Sequence, residues 1–216
     1  MNEKIRFSLK TGKVQILEFT ISGLLEPSDL RGVQLVEVDP SKPLIISGRG
    51  PQWLYAFLAH HYHFARILAT YEPRANMGIV ISSVNEKDVG LGVDIEAGLL
   101  KEVKLGADGR IDVGLIKLGS IQLLRAELLE GAFAEPSELK RIRWWDIKRA
   151  VDPSKPMIIY VMAPVWVSAK LAVEFSNLVP WISIYDPRLE SSVTVARHSL
   201  NAPEIGQQVE LKIQLK

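Results

Sequence analysis

The sequence DPSKP occupies residues 39–43 and occurs again at residues 152–156, 113 residues further along the chain. Collinear matches on both sides of it predict that the chain consists of two copies of one unit, each of roughly one hundred residues. The other matched pairs are EPSDL at 26–30 with EPSEL at 135–139, Pro51 with Pro164, Trp53 with Trp166, Leu58 with Leu171, YEPR at 71–74 with YDPR at 185–188, and Asp88-Val89-Gly90 with Glu204-Ile205-Gly206.

Composition restricts the function of these units. The chain has 216 residues, 47% of them hydrophobic, and its 26 basic and 25 acidic residues give a net charge of +1. Non-specific coating of nucleic acid or membrane requires a larger basic excess. Because the chain has no cysteine, a metal ion can be held only by His, Asp or Glu. With no signal-peptide pattern in the first ten residues, we expect a soluble, cytoplasmic protein without a membrane contact.

Each unit has the residue pattern of an α/β fold. In the first copy, two strand-like runs precede EPSDL, which predicts a short helix with Pro in its first turn. A short apolar strand, a glycine turn and a helix from Pro51 to about His63 follow, and further strands are predicted at 67–71 and 79–81. This βαβ order predicts compact Rossmann-like units at 1–106 and 107–216, joined in the turn-rich segment Gly106–Gly109.

The glycine turn Ser47-Gly48-Arg49-Gly50 lies between a predicted strand and a predicted helix. There, backbone N–H groups and the Arg49 guanidinium could bind a phosphate. An ordinary tight turn with a surface arginine explains the same residues, and taken alone it is the better interpretation.

Three of the four histidines follow at the end of the predicted helix. His60 and His63 share a helix face, so they could hold a metal or divide acid and base roles near neutral pH, while His61 points elsewhere. Stabilisation of imidazolium at a helix C-terminus is the alternative.

A Tyr-acid-Pro-Arg sequence ends a predicted strand in both copies and contributes Glu72 and Arg74, then Asp186 and Arg188. At that edge the acid could bind a metal or a proton and the arginine a phosphate. A β-turn in which the two side chains pair is equally compatible with the sequence. His198, alone after a strand, is interpreted as structural or merely exposed. The basic Trp-containing segment 140–149 could be an RNA-facing helix, but an amphipathic helix with a solvated basic side is the preferred interpretation.

The combination SGRGPQWLYAFLAHHYH and YEPR resembles the signature of the Csx-three family, CRISPR-associated proteins of type III systems. The resemblance implies a reduced CRISPR-associated Rossmann fold and a metal-dependent ring nuclease, typically with manganese, that cleaves the second messenger cyclic tetraadenylate. Family members are also described as RNA-deadenylating enzymes, and they act as homodimers or higher assemblies. Cyclic tetraadenylate or short oligoadenylate RNA, and further chains in a stack, are therefore the expected partners.

The family's functional residues can be carried over by position. Its phosphate-binding turn corresponds to Ser47, Gly48, Arg49 and Gly50. Its catalytic residues correspond to His60, His63, Glu72 and Arg74 in the first copy, and to Asp186 and Arg188 in the second. A late histidine of the family corresponds to His198, so the expected metal ligands are His63, Asp186 and His198.

The two copies depart from the family pattern in a complementary way. The first keeps the glycine turn and the histidines, whereas the second keeps Asp186-Pro187-Arg188 and His198. We therefore expect a fused, pseudo-symmetric dimer with one site shared by its halves, in which a phosphate held by Arg49, Arg74 or Arg188 meets His60 or His63. The competing hypotheses are a messenger-binding protein without catalysis and an assembly protein.

Overall fold

The computed structural model describes residues 4–129, 131 and 133–210, and it contains two mixed β-sheets with helices between them. The first sheet has seven strands: β1 (Ile5–Thr11), β2 (Gln15–Ile21), β3 (Leu44–Gly48), β4 (Ile67–Glu72), β5 (Met77–Ser83), β6 (Gly92–Asp94) and β7 (Leu100–Lys101). The second has six: β8 (Ile111–Leu118), β9 (Ile121–Leu128), β10 (Met157–Met162), β11 (Trp181–Asp186), β12 (Ser191–Arg197) and β13 (Gln208–Glu210).

The two sheets have the same internal order. β2, β3 and β4 are parallel neighbours, with antiparallel strands on either side. β9, β10 and β11 repeat this arrangement, with β8 and β12 antiparallel beside them. In the first unit, helix α1 (Gln52–His61) connects β3 to β4. In the second, helix α3 (Val165–Phe175) connects β10 to β11 in the same way. The α/β class and the two repeated units are thus confirmed.

The repeated DPSKP loops have the same anchor in both units. Gln15 at the start of β2 hydrogen-bonds both the backbone N–H and the carbonyl of Asp39, at 2.8 and 2.7 Å. Gln122 does the same to Asp152 at 2.7 and 2.8 Å. The glutamines are buried, so these backbone groups supply the hydrogen-bond partners that the buried side-chain amides need. The repeated pentapeptide thus begins at the same anchored position in both units.

The main hydrophobic core is shared by the two units. α1 packs on α3 and on β11 and β12 of the second sheet, while α3 packs on β4 and β5 of the first. Trp53 from α1 and Trp166 from α3 are both buried in one continuous cluster. Each of these two helices is therefore covered on more than one side, partly by the other unit. This accounts for hydrophobic residues on all sides of both helices.

The predicted elements of the first unit match the structure within a few residues. Pro27–Gly32 and its counterpart Pro136–Lys140 form the expected short helices, as 3-10 turns. The segment 140–149 contains a seven-residue helix, α2 (Trp144–Ala150), that buries none of its residues. The remaining short 3-10 turns are Glu86–Asp88 and Ser176–Leu178.

The segment that joins the units is held to the second one. The carboxylate of Glu135 accepts hydrogen bonds from the backbone N–H groups of Leu105 and Ala107, at 2.9–3.0 Å. The boundary between 106 and 107, the Rossmann-like relationship and the pseudo-symmetry remain predictions. Among the described helices, none combines the length and apolar character that crossing a bilayer requires.

Candidate functional site

The glycine turn lies at the carboxyl end of β3 and needs its glycines for space. A Cβ on Gly48 would lie 2.6 Å from the ring of Phe19, and one on Gly50 would lie 2.9 Å from it. Tyr55 of α1 donates a hydrogen bond of 2.6 Å to the Gly48 carbonyl. The turn is therefore clamped between an aromatic side chain and the helix that follows it, while Arg49 is exposed.

A cavity of ≈ 830 Å³ opens over this turn. Ser47, Gly48, Arg49 and Gly50 line it together with residues 18–21 of β2, Tyr55, Tyr71, Pro73 and Val165. Its volume is within the range of small-molecule sites. All four residues predicted to bind substrate are thus together at one cavity.

Asp186 and Arg188 of the second unit lie beside the start of α1 in the first. Asp186 accepts from Arg188 Nε (3.0 Å) and Nη2 (2.6 Å), and its Oδ2 also accepts from Trp53 Nε1 at 3.2 Å. A second cavity of ≈ 380 Å³ is lined by Gly50–Trp53 on one side and Tyr185–Arg188 on the other. Gly50 lines both cavities, so the turn of one unit and the Asp-Pro-Arg of the other form one continuous surface.

Glu72 and Arg74 form the same pair in the first unit but in a more closed setting. Arg74 Nε and Nη2 donate to the two carboxylate oxygens of Glu72 at 2.8 and 2.9 Å. The guanidinium lies 4.3 Å from the ring centre of Phe133. The side chain of Arg74 is consequently 34% exposed, against 73% for Arg188. One arginine can reach a ligand, and its counterpart is covered by an aromatic ring.

Both carboxylates stay ionised at neutral pH. Burial raises the pKa of Glu72 and of Asp186, but the hydrogen bonds and charge of the adjacent arginine outweigh burial and hold each pKa below its ordinary value. Trp53 adds to this effect at Asp186. The Trp166 indole acts on Glu72 in the same direction, although its N–H forms no hydrogen bond of normal geometry.

The histidines form a separate cluster at the other end of α1. The ring of His60 lies 5.7 Å from that of His63 and 5.4 Å from that of His198, centre to centre. His60 Nδ1 is 2.9 Å from Ser176 Oγ, whereas His63 Nδ1 is 2.5 Å from the His60 carbonyl. A carbonyl can only accept, so the proton of His63 is on Nδ1 and Nε2 is its basic nitrogen. His61 contacts Tyr62 and Phe64 instead.

His60 is neutral near pH 7. Partial burial and the neighbouring imidazoles of His198, His63 and His61 together lower the pKa of His60 to about 4. A neutral imidazole can accept a proton or a metal, but it does not hold phosphate by charge. Phosphate recognition therefore depends on the arginines and the glycine turn.

The two clusters lie at opposite edges of the sheets. Trp53, which contacts Asp186, and His60 are seven residues apart in α1, which is about 10 Å of helix. Asp186 ends β11, while His198 donates its backbone N–H to Pro180, just before β11 begins. A shared site within one chain was expected to bring histidines and arginines to the same phosphate. In the structure they are separated by the length of a strand.

The predicted metal ligands are not brought together either. Asp186 is at the arginine edge and His63 and His198 are at the histidine edge. Across residues 4–129, 131 and 133–210, no three His, Asp or Glu side chains converge as a metal site. Both oxygens of Asp186 are already occupied by Arg188 and Trp53. The residues in one chain therefore do not fit the expected manganese, and its role stays a prediction.

Sequence reasoning missed two residues of this region. Trp53 was identified only as a repeat match, and its contact with Asp186 across the units has no local signal. Phe133 lies outside every motif, so its contact with Arg74 could come only from the fold.

Comparison with known proteins connects these features to a family. The family model described as CRISPR-associated protein (Cas_csx3) matches residues 18–94 and 129–210. The chain belongs to the Cas_csx3 family. The two matched segments correspond to the two repeated units, so this protein contains two Cas_csx3 units and is CRISPR-associated. An uncharacterized protein of Aquifex aeolicus (strain VF5) is 33% identical over 88 residues, which cover 38% of this chain and 79% of that protein. The matched stretch is therefore shorter than half of this chain but spans most of that relative.

Proposed function

We propose that this Cas_csx3 protein is a ring nuclease that binds cyclic tetraadenylate and cleaves it to linear oligoadenylates, and so regulates type III CRISPR antiviral defence. The observation that carries the proposal is the continuous surface formed by Ser47–Gly50 of one unit and Asp186–Arg188 of the other. It combines backbone N–H groups, two exposed arginines and a cavity large enough for part of the cyclic tetranucleotide.

Arg188 is the side chain best suited to hold the scissile phosphate. Its side chain is 73% exposed, yet the direction of its guanidinium is fixed by two hydrogen bonds to Asp186. Asp186 is in turn oriented by Trp53. A pre-oriented arginine loses little freedom on binding and can stabilise charge that develops on phosphate oxygens during cleavage. Arg49 adds a second cation beside the glycine turn.

The histidines require a second chain. His63 is exposed and His60 is neutral near pH 7, so both are suited to proton transfer, but they lie at the opposite edge from Arg188. Head-to-tail stacking would bring the histidine edge of one chain onto the arginine edge of the next. A ligand held between them would then meet both sets of groups. We therefore infer a stack of chains as the active form, with the ring bound at each contact.

Complementation between variants tests this arrangement. R188A and H63A are each expected to lose ring cleavage, because each removes one half of every site. Mixed in equal amounts, they should recover about a quarter of wild-type cleavage, since about one contact in four joins an intact arginine edge to an intact histidine edge. Product chromatography of labelled cyclic tetraadenylate measures the result.

A matched mixture serves as the control. R188A mixed with the double variant R188A/H63A contains no Arg188 in any chain and should stay inactive at every concentration. Recovery in that mixture, or no recovery in the first one, would contradict a site formed between chains. Wild-type cleavage per chain should also rise with protein concentration.

A second candidate is a protein that binds the messenger without cutting it. The occupied oxygens of Asp186 and the absence of a converged metal group in the described residues favour it. Incubation of the wild type with the ring, with Mn²⁺ or with chelator, separates the two candidates. Linear products that depend on Mn²⁺ support the nuclease and its cofactor, whereas a retained, uncut ring supports capture alone.

A further inference from the structure

A third cavity, of ≈ 680 Å³, lies away from both clusters, where the first unit meets α2 of the second. Glu86, Lys87 and Val89 of the first unit form one wall. Leu139, Lys140, residues 142–146 and Lys170 of the second unit form the rest. None of these residues takes part in the surfaces described above.

The wall made by the second unit comes from an insertion. Leu30 precedes Asp39 by nine positions in the first unit, whereas the matching Leu139 precedes Asp152 by thirteen. The first unit has no helix in this interval, and the second forms α2 there. The insertion therefore adds a feature that the repeat does not need for its fold.

The insertion presents two adjacent tryptophans in different ways. Trp144 is anchored, because its indole N–H donates to the Leu139 carbonyl at 3.0 Å and its ring packs near Phe175. Trp145 is 71% exposed, and no ring or hydrogen-bond partner is recorded for its side chain within the described residues. Exposing a large apolar ring costs free energy in water, so a surface tryptophan beside a cavity indicates a flat apolar ligand.

The charges of this cavity are partly compensated. Arg143 pairs with Asp146 at 2.5 Å, and Lys170 pairs with Glu174, which does not line the cavity. Lys87 and Lys140 form no ion pair with any part of the chain that the structure describes, and Glu86 is the remaining acid. The lining therefore has net positive charge, with one uncompensated lysine from each unit.

We propose that this cavity binds a nucleotide, with the base stacked on Trp145 and the phosphates between Lys87 and Lys140. A base offers a flat face on which the exposed indole, which has no ring partner among the described residues, can stack. The phosphates complement the charge of the two lysines. The volume suits a mononucleotide or one terminal residue of an oligonucleotide. This site is independent of the proposed ring cleavage, because it shares no residue with that surface.

Titration of the full-length protein with ATP at low salt tests the proposal. Isothermal calorimetry should detect ATP binding, and W145A should weaken it about tenfold or more, as stacking on a tryptophan contributes roughly 1–3 kcal/mol. W145F should retain most of the affinity, since a phenyl ring still stacks. K140Q should weaken binding several-fold, whereas K13Q, at an exposed lysine that does not line this cavity, should not.

Three controls identify other outcomes. Inorganic tripolyphosphate carries the charge without the base, and binding as tight as ATP would overturn the stacked-base site. Unchanged ATP affinity in W145A would do the same, as would no heat of binding at millimolar ATP. If W145A instead changes the sedimentation coefficient, Trp145 contacts a second copy and the nucleotide site is wrong. Ring cleavage by W145A should equal that of the wild type, so failure of the two proposals can be distinguished.

Discussion

Arg188 and Arg74 occupy matching positions in the two units, and each pairs with the acid two residues before it. Their surroundings decide what each can do. Arg188 is open to a ligand, whereas the ring of Phe133 covers the guanidinium of Arg74. A buried or covered ion pair mainly holds its own turn, while an exposed and pre-oriented arginine can bind an anion.

Alanine at each arginine should therefore have different effects. R188A is expected to reduce ring cleavage about 100-fold or more, because it would remove the proposed charged contact to the reacting phosphate, at little cost to stability. R74A should leave cleavage within about twofold but lower the thermal unfolding temperature, since it leaves the buried Glu72 carboxylate unpaired. Steady-state cleavage and calorimetric melting measure the two effects. Equal loss of cleavage in both variants would mean that both acid–arginine pairs act on the ring.

His60 gives the protein a specific dependence on pH. The pKa of His60 is about 4 in the folded chain and close to 6.5 in an unfolded one, so the unfolded state binds more protons between these values. Stability should consequently fall as pH drops from 6.5 towards 4. H60Q should show a smaller fall than the wild type over this range, measured by denaturant unfolding at fixed pH steps. Parallel pH profiles for the two proteins would contradict the assignment.

At the scale of elements, two glycine turns lock the units together. Gly90 lies after the 3-10 turn Glu86–Asp88 of the first unit and has φ +82. A Cβ there would lie 2.5 Å from the Pro136 carbonyl oxygen. Gly206 of the second unit has φ +75 and abuts the Pro27 carbonyl of the first. Each turn thus packs on the EPS segment of the other unit. A side chain at either position would push the two units apart.

Gly206→Ala tests this packing against a matched glycine. We expect it to lower the free energy of unfolding by about 2–4 kcal/mol, from backbone strain plus the overlap with Pro27. Gly23 has φ +74, but no atom lies within 4 Å of its added Cβ, so G23A should cost about 1 kcal/mol. Chemical denaturation of both variants gives the comparison. Equal losses would show that the interface tolerates the extra methyl group.

The sequence predicted the elements well where local pattern decides them. Pro51 and the glycines before it indicated the start of α1, and the run 67–71 indicated β4. It could not predict that α1 buries its apolar residues against the other unit's sheet, because that contact depends on how two sheets meet. The same limit hid Trp53 as a partner of Asp186, 133 residues away.

At the scale of the whole molecule, the two units share one core instead of having one each. Trp53, Leu54 and Leu58 of α1 and Trp166, Leu171 and Phe175 of α3 belong to the same buried cluster. Large apolar side chains of either unit would be exposed if it stood alone. Burial of apolar side chains is the main favourable term in folding, so we expect each unit by itself to be poorly stable.

Splitting the chain tests this dependence. Fragments 1–106 and 107–216 should each be poorly folded when expressed alone, with little protection of their amides from hydrogen exchange. Co-expressed, they should associate and regain the protection pattern of the intact chain, because the shared core does not require a covalent join. Size-exclusion chromatography with hydrogen exchange follows both states. A stably folded, monomeric single fragment would contradict a shared core.

The candidate site was predictable as a set of residues but not as an arrangement. Motif positions identified Ser47–Gly50, Asp186, Arg188 and the histidines, and the structure brings the first three groups together. His60 and His198 lie together, at the end of the sheet opposite Asp186 and Arg188. For His198 this follows from strand direction, because Asp186 ends β11 whereas His198 follows β12, the antiparallel neighbour of β11. That relation requires the sheet order, which no local pattern contains.

The covered arginine also affects how chains can be stacked. A two-fold dimer of identical units is unchanged by a half-turn about its symmetry axis. In a stack of such dimers, a neighbour could therefore be added in either of two orientations and form the same site. Phe133 over Arg74 removes that equivalence, because the Arg74 side chain packs against that ring and is less than half as exposed as Arg188. A neighbour added half a revolution out of register would therefore form a contact without a working site. If chains stack as proposed, the joined units therefore give the assembly an azimuthal register, with one productive rotational setting for each layer.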